Sequence, residues 1–145
     1  MEPICVKKLH PKAVIPTYGS QEAAGADLYA CLDESVVIPA GKTVFVATGL
    51  ALEVPKGFAG LIYARSSMGA KRGLAPANKV GVIDSDYRGQ IMVALHNHGQ
   101  EDQIVQPGER IAQVLITPVF TPGFVEVEEL DDTLRGTGGF GSTGR

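Results

Sequence analysis

The chain has 145 residues, of which 44% are hydrophobic and 20% are charged, and its formal net charge is −3 at pH 7. One domain of this size buries a core without disulfide bonds or structural metals. A weakly acidic chain with no basic stripe is not a general nucleic-acid binder, because it cannot neutralise a long phosphate backbone. Neither a charged-then-apolar leader nor an apolar run of membrane length is present, so we expect a cytoplasmic protein without membrane contact.

Short apolar runs alternate with glycine- and proline-containing turns, and no stretch sustains a helical period. This pattern predicts strands over residues 4–9, 26–29, 36–38, 43–53, 58–64, 79–83, 90–98, 103–105 and 110–119. One short helix is expected over residues 66–71, with Ser66 or Ser67 as its N-cap. Many short strands with turns between them indicate an all-β fold, an antiparallel β-sandwich or jelly roll.

The end of the chain differs in composition from the rest. We predict a β core domain over residues 1–119, and a linker with a C-terminal arm over residues 120–145. The linker has a Thr-Pro-Gly turn and an acidic run, and the arm is rich in glycine. Such a segment adds nothing to the core. We therefore expect a flexible arm that docks on a binding site, either its own or that of a neighbouring subunit.

Two constellations in the first half of the chain carry groups that bind anions or metals. Asp27 follows a glycine turn at the start of a predicted strand, where an ordinary turn aspartate is the alternative. Arg65 stands beside Ser66 and Ser67 at the predicted helix start, an arrangement that suits a phosphate. Taken alone, the same residues are more simply explained by an N-cap with a surface arginine.

Residues 81–89 place two carboxylates, a phenol and a guanidinium between glycines, directly after an apolar run. A carboxylate beside a cation at a strand end is able to activate a water next to an anionic substrate. An ordinary acidic turn has the same composition, so the segment alone leaves both interpretations open.

Residues with metal-ligating side chains do not form an obvious histidine or cysteine site. Cys5 and Cys31 lack metal-type spacing and are expected to be free thiols in a reducing compartment. His96 and His98 share a strand face, but no third ligand is evident, and we interpret them as surface residues. The carboxylates of the chain suit Mg²⁺ held by oxygen ligands and phosphates better.

Residues 108–113 open an apolar strand with polar side chains at both ends. Arg110 and Gln113 are candidates for half-buried polar partners or phosphate donors. The alternative is a surface ion pair of Glu109 with Arg110 or a neighbour, which contributes little stability.

Residues 135–145 contain five glycines, several hydroxyl groups and an arginine at each end, Arg135 and Arg145. Exposed backbone N–H groups with hydroxyls and guanidinium groups suit a polyphosphate. The segment is not a P-loop, because no Ser or Thr and no helix follow its last basic residue. A disordered tail is the alternative, although the aromatic ring of Phe140 needs a surface on which to stack.

Five motifs in this order, at residues 24–28, 65–69, 81–89, 108–113 and 135–145, resemble those of the homotrimeric dUTPases. The resemblance extends from about residue 4 to the end of the chain. It implies a jelly-roll homotrimer whose active sites are shared between subunits. It also implies hydrolysis of dUTP to dUMP and pyrophosphate with Mg²⁺, a reaction that limits uracil in DNA and supplies dUMP for thymidylate synthesis.

The resemblance also implies roles for the residues that meet the nucleoside. Asp84 is expected to orient and deprotonate the water that attacks the α-phosphorus in line. Asn78 is expected to bind the uracil edge, and Tyr87 to pack under the deoxyribose and exclude a ribose 2′-hydroxyl. Backbone groups of the expected hairpin would help to bind the uracil edge, and they belong to Gly81, Val82 and Met92.

Other residues are implied to bind the triphosphate and its metal. Asp27 would place the hydrated Mg²⁺ through water, and Gln113 would reach the α-phosphate. The phosphate chain would be held by the second motif, through Arg65, Ser66, Ser67 and Gly69. Phe140 would close over the uracil as part of a lid. The remaining lid residues would clamp the γ-phosphate, and these are Arg135, Gly141, Ser142 and Thr143.

One departure from the family pattern raises a rival activity. The second motif is usually Pro-Arg-Ser-Gly, but residues 64–67 read Ala-Arg-Ser-Ser, as in the related dCTP deaminases. Those enzymes use a glutamate ten residues beyond the aspartate of the third motif, and here that position is Ala94. Deamination is therefore rejected. A non-enzymatic nucleotide-binding or regulatory module would lack Asp84 or the arm, and the chain has both.

Overall fold

Short antiparallel strands build the part of the chain that the computed structural model describes, residues 1–144. Arg145, one of the two arginines that bracket the arm, lies outside the described residues. The strands in chain order are β1 (Cys5–Lys8), β2 (Thr17–Tyr18), β3 (Ala26–Tyr29), β4 (Val36–Ile38), β5 (Thr43–Ala47), β6 (Leu50–Glu53), β7 (Phe58–Tyr63), β8 (Leu74–Pro76), β9 (Gly81–Ile83), β10 (Met92–Asn97), β11 (Gln103–Val105) and β12 (Arg110–Pro118). One helical element, a π-helical turn at Ser67–Lys71, lies between β7 and β8.

The largest sheet has the order β2-β3-β12-β7-β9, and a second sheet has the order β5-β10-β8. Two two-stranded sheets, β1-β6 and β4-β11, complete the fold, and every pair is antiparallel. This arrangement confirms the predicted all-β, jelly-roll-like sandwich with one short helix. Because β12 lies in the centre of the largest sheet, it brings the first motif on β3 next to the end of β7, where the second motif begins.

The strands form because their residues alternate between the core and the outer face. On β10, Val93, Leu95 and Asn97 are buried, whereas the intervening side chains are at least partly exposed. Burial of the apolar half of each strand supplies most of the favourable free energy of folding, at about 25 cal/mol per Å². Asn97 is the polar exception, and its side chain donates hydrogen bonds to the carbonyls of Ile38 and Glu101 at 2.9 and 2.8 Å.

The strand predicted over residues 43–53 is divided in two at Gly49, which has φ of +68°. A Cβ at this position would lie 2.8 Å from Cys31 Sγ and 2.9 Å from Ala13 Cβ, so only glycine fits. Strands β2 and β8 were missed by the sequence prediction, because β2 has only two residues and β8 ends in a proline, which argues against a strand. Pro76 at the end of β8 is tolerated because β8 is an edge strand.

The two cysteines agree with the sequence expectation. Cys5 and Cys31 are free thiols, the first exposed and the second half-buried. Among residues 1–144, no helix is long and apolar enough to cross a membrane.

The segment after β12 leaves the core. Residues 119–144 form no strand or helix, and none of them belongs to the core cluster. Most large apolar side chains along it are at least 85% exposed, and these include Phe120, Phe124, Leu130, Leu134 and Phe140. Contiguous apolar groups left in water usually indicate a surface that another molecule covers.

Candidate active site

A cleft of about 400 Å³, here called the hairpin cleft after the hairpin expected from the sequence, lies at the loop that joins β9 to β10. These two strands belong to different sheets and do not pair with each other, so the segment between Gly81 and Met92 is a connection between sheets and not a hairpin. The structure brings six of the predicted site residues together in its lining: Asn78, Gly81, Val82, Asp84, Tyr87 and Met92. Sequence reasoning missed other side chains of the lining, among them Phe45 and Gln90. Phe45 lies on β5, and no local signal connects it with a segment that begins more than thirty residues later.

Close packing and hydrogen bonds hold β9 and the loop that follows it. Gly81 stands opposite Ile62 of β7, and a Cβ on it would lie 3.2 Å from Ile62 Cβ, so glycine allows β9 to approach β7. In the turn, the N–H of Tyr87 donates to the carbonyl of Asp84 at 3.2 Å. Gly89 is required as well, because a Cβ there would lie 2.4 Å from the Tyr87 hydroxyl oxygen.

The turn that carries Asn78 adopts a rare backbone conformation. Lys79 has φ of +66°, which costs a non-glycine residue roughly 1–2 kcal/mol. The Lys79 N–H donates to the Pro76 carbonyl at 2.9 Å, and the Val80 N–H donates to the Asn78 carbonyl at 2.7 Å. These bonds hold the exposed Asn78 at the cleft.

Asp84 directly follows β9 and is exposed to solvent. Within the described residues, the lining of its cleft contains no lysine or arginine. The hairpin cleft thus offers an amide, a phenol and a carboxylate, which suit an uncharged base and sugar and the activation of a water. It lacks the cations that a triphosphate requires.

A second cleft of about 330 Å³, here called the basic cleft, supplies such cations. Four basic residues line it, Arg65, Lys71, Arg72 and Arg110, together with Ser67, Met68 and the single carboxylate of Glu109. The two clefts share no lining residue. An excess of guanidinium and ammonium groups suits a polyanion.

Asp27 of the first motif is buried beside the basic cleft and is ion-paired. Arg65 Nε donates to its Oδ1 at 2.8 Å, and Arg110 Nη1 lies 3.5 Å from its Oδ2. Its neighbour across the sheet is Gln113 of β12, which in turn stands opposite Tyr63 of β7. The sheet register therefore places the first, second and fourth motifs side by side.

Gln113 stands opposite Tyr63, the last residue of β7, and therefore lies next to the start of the second motif. Its side-chain nitrogen donates to the carbonyl of Ala64 at 2.9 Å. A Cβ on Gly25 would lie 2.4 Å from the Gln113 side-chain oxygen, so glycine in the first motif makes room for this amide.

The π-helical turn corrects one local prediction. The side chain of Ser66 makes no N-cap hydrogen bond and stays exposed. The hydroxyl of Ser67 accepts a hydrogen bond from Arg65 Nη1 at 3.1 Å, a contact that glycine at this position cannot make. The N–H groups of Met68 and Gly69 donate to the Arg65 carbonyl at 3.1 and 2.9 Å, and these bonds hold the turn.

The arm does not reach either cleft. Among residues 119–144, none lines the hairpin cleft or the basic cleft. Arg135 Nε donates to the Gly138 carbonyl at 2.7 Å, and Ser142 N–H donates to the Gly139 carbonyl at 3.0 Å. Phe140 is fully exposed with φ of +51°. Gly141 and Thr143 lie in the same exposed turns.

Glu109 pairs differently from the surface pair considered from the sequence. Its carboxylate binds the guanidinium of Arg72, and Arg110 contacts Asp27 instead. Because Arg72 and Glu109 are 37 positions apart, no local signal predicts the pair.

The two histidines lie on the outer face of β10 and beyond its end. Their ring centroids are 4.5 Å apart, and His96 Nδ1 is 2.9 Å from the Thr43 hydroxyl. Desolvation, followed by the nearby charges of Lys79 and His96, lowers the pKa of His98. Among the described residues, no group of three or more His, Cys, Asp or Glu side chains is arranged to hold a metal ion.

Comparison with known proteins connects these clefts with one enzyme family. A family model described as dUTPase matches residues 11–144. The chain is 49% identical over 141 residues to a deoxyuridine 5'-triphosphate nucleotidohydrolase of Syntrophotalea carbinolica, covering 97% of this chain and 96% of that protein. It is 48% identical over 145 residues to the protein of the same name from Acinetobacter baumannii, with 97% of each chain covered.

Solved structures show the same fold. A mutant dUTPase of Staphylococcus bacteriophage 80alpha with dUpNHpp superimposes with a TM-score of 0.90 at 26% identity, and all of both chains is covered. A mutant dUTPase of phage phi11 of S. aureus, described with a structural Mg(II) ion, superimposes with a TM-score of 0.81 at 23% identity. That alignment covers 90% of this chain and 100% of the phage protein.

Proposed function

As the chain belongs to the dUTPase family, it is a deoxyuridine triphosphate nucleotidohydrolase, and we propose that Asp84 activates the water that attacks the α-phosphorus of dUTP. The products are dUMP and pyrophosphate. The observation that carries the proposal is the exposed carboxylate of Asp84 in a cleft that also holds Asn78 and Tyr87. The Asp84 carboxylate takes a proton from the water as the water oxygen bonds to the α-phosphorus. Pyrophosphate leaves from the opposite side of that phosphorus.

Asn78 and the loop between β9 and β10 select the base in this mechanism. The side-chain amide has both a donor and an acceptor, which match the edge of uracil. Tyr87 packs under the deoxyribose, and its fixed ring leaves no room for a ribose 2′-hydroxyl. A site of this kind selects by steric exclusion as well as by hydrogen bonds.

The basic cleft binds the phosphate chain through Arg65 and Ser67 of its lining. Ser66 and Gly69 of the same turn assist, and Gln113 reaches the α-phosphate. The donor chemistry fits Mg²⁺ that is carried mainly by phosphate oxygens and water, since no protein cage is present among residues 1–144. Both oxygens of Asp27 contact arginines, so its carboxylate fits the ion only through water. When bound, the ion screens the charge of the triphosphate.

The complete site is shared between subunits of a homotrimer. Within the described residues, the cleft of Asp84 has no lysine or arginine in its lining, and a triphosphate bound there takes its cations from a neighbouring subunit. The exposed apolar side chains of residues 119–144 provide a second reason, because they require a surface outside their own core.

The arm then acts as a lid. Phe140 stacks on the uracil, and Arg135, Gly141, Ser142 and Thr143 bind the γ-phosphate. Its exposed backbone N–H groups and flexible glycines allow it to order around the substrate. Closure removes bulk water and completes the charge stabilisation.

Product analysis by phosphorus NMR tests the activity. Purified protein with Mg²⁺ is given dUTP and dCTP in separate reactions. We expect dUMP and pyrophosphate from dUTP and no change in dCTP. Conversion of dCTP to a uracil nucleotide would mean that Ala94 was misread and that the protein is a deaminase. Binding without turnover would indicate a regulatory module.

A further inference from the structure

Arg72, which directly follows the π-helical turn, connects this turn with two distant parts of the chain. Its Nε donates to the Gln103 side-chain oxygen at 3.1 Å, and its Nη2 donates to the Ile104 carbonyl at 2.5 Å. Its Nη1 donates to the carboxylate of Glu109 and lies 3.4 Å from Met68 Sδ. All three guanidinium nitrogens therefore have protein partners.

Glu109 in turn orders the segment before β12. Its second carboxylate oxygen accepts a hydrogen bond from the Gln106 N–H at 2.9 Å, and its backbone carbonyl accepts one from the Ala30 N–H at 2.8 Å. The side chains of Arg72 and Glu109 are 27% and 25% exposed, so water competes weakly for the pair. The next residue along the chain is Arg110, which contacts Asp27.

These contacts close a ring around the basic cleft. Asp27 binds Arg65, which precedes the π-helical turn and bonds to Ser67 within it. Arg72 leaves the other end of the turn and binds Glu109, whose neighbour Arg110 returns to Asp27. Without the Arg72–Glu109 pair, the side chains of this ring connect the π-helical turn with the start of β12 only through Asp27.

We propose that Arg72 and Glu109 are positioning residues for phosphate binding: their pair sets the distance between the π-helical turn, with Ser66 and Ser67, and Arg110. The proposal rests on the function proposed above for the basic cleft. Arg72 is occupied by protein acceptors, and Glu109 is an anion that repels phosphate. Both residues therefore act through their neighbours and not as ligands. A displacement of such groups by about 1 Å is enough to cost a large factor in affinity or rate.

Glu109→Gln separates positioning from simple electrostatics, because the two predict changes of opposite sign. Removing a negative charge from the cleft would by itself strengthen the binding of a polyanion. If the pair positions the turn, the variant binds the imidotriphosphate analogue dUpNHpp more weakly, by about tenfold, because its phosphate ligands are displaced. Its affinity for dUMP, which lacks the β- and γ-phosphates, should stay within about twofold of the parent value.

Titration calorimetry of the full chain with dUpNHpp and with dUMP, in the presence of Mg²⁺, gives both affinities. Arg72→Lys keeps the charge but lacks the planar fork that reaches three acceptors, so it should show the same selective loss. Lys12→Met is the matched control, because it breaks an exposed ion pair with Asp33 at 3.2 Å, and it should leave both affinities unchanged.

Three results would overturn the proposal, and a fourth would refute the function on which it rests. If Glu109→Gln binds dUpNHpp as tightly as the parent or more tightly, as electrostatics alone predicts, positioning is refuted. Parental affinity in Arg72→Lys would show that charge alone matters. Equal losses for dUpNHpp and dUMP would indicate a general structural role. Parent protein that binds dUMP but gains no affinity from the additional phosphates would refute the phosphate role of the basic cleft itself.

Discussion

The hydroxyl of Tyr87 donates a hydrogen bond to the backbone carbonyl of Gln90 at 2.8 Å, which fixes the phenol ring against the loop between β9 and β10. The ring also fills the space next to Gly89, where no side chain would fit. Tyr87 is thus held by both ends of the turn and presents a rigid surface to the hairpin cleft.

Replacement of this ring should relax the selection of the sugar. We expect Tyr87→Ala to reduce the preference for dUTP over UTP by about 10- to 100-fold, because the surface that excludes the 2′-hydroxyl is removed. Tyr87→Phe keeps the ring and loses only the bond to Gln90, so it should retain most of the preference. The ratio of kcat/KM for the two nucleotides is the measurement. Unchanged rejection of UTP by Tyr87→Ala would show that another group excludes ribose.

Loss of the Asp84 carboxylate should stop hydrolysis and spare binding. We expect Asp84→Asn to lower kcat by at least about 10²–10⁴-fold, since an amide cannot accept the proton of the water. Affinity for dUpNHpp should change little. Asp86→Asn, an exposed carboxylate two residues later in the same turn, is the control and should keep parental turnover. Parental kcat in Asp84→Asn would contradict the role assigned to it.

Removal of the arm should affect catalysis and not folding. A chain that ends at Leu134 should remain folded and trimeric, because none of the described arm residues belongs to the core. We expect turnover to fall by about 10²–10⁴-fold through lost phosphate contacts and lost closure. Size-exclusion chromatography with light scattering, together with steady-state kinetics, tests both parts. A truncated chain that unfolds or becomes monomeric would show that the arm is structural.

Asn97 should be one of the costliest polar positions to replace. Its side chain bonds to the carbonyls of Ile38 and Glu101 and accepts from the Gly99 N–H at 2.9 Å, while it is fully buried. Asn97→Leu leaves these groups without partners, so we expect a loss of about 3 kcal/mol in the free energy of unfolding. Denaturant titration measures it. Gln100→Leu, at an exposed position of the same turn, should change stability little.

Two glycines with similar positive φ angles allow the cost of backbone strain to be measured apart from the cost of steric crowding. Gly49 and Gly41 have φ of +68° and +73°, but only Gly49 has close neighbours at its Cβ position. Gly41→Ala should cost roughly 1–2 kcal/mol from backbone strain alone. Gly49→Ala should cost about 1–3 kcal/mol more, because the methyl group meets Cys31 and Ala13. Equal losses in denaturant titration would mean that the surroundings of Gly49 adapt freely.

Local patterns determined the fold class and the half of the site at the hairpin cleft. Short apolar runs between turn residues, such as 103–105, predicted strands with their observed bounds, because the apolar residues and the turn residues that delimit a strand are local. Asn78, Asp84 and Tyr87 lie within ten residues of one another, and one short stretch of the chain around β9 brings them together. The roles of Asp84 and the arm stay predictions.

Only the tertiary structure decided the partners of the charged residues. Asp27 meets Arg65 and Arg110 because β12 pairs with β3 on one side and with β7 on the other. Arg72 meets Glu109 across 37 positions for the same kind of reason. Such contacts depend on how distant segments pack, and the residues next to either partner do not predict them. The sequence alone therefore identified which groups are present, and the fold determined which of them act together.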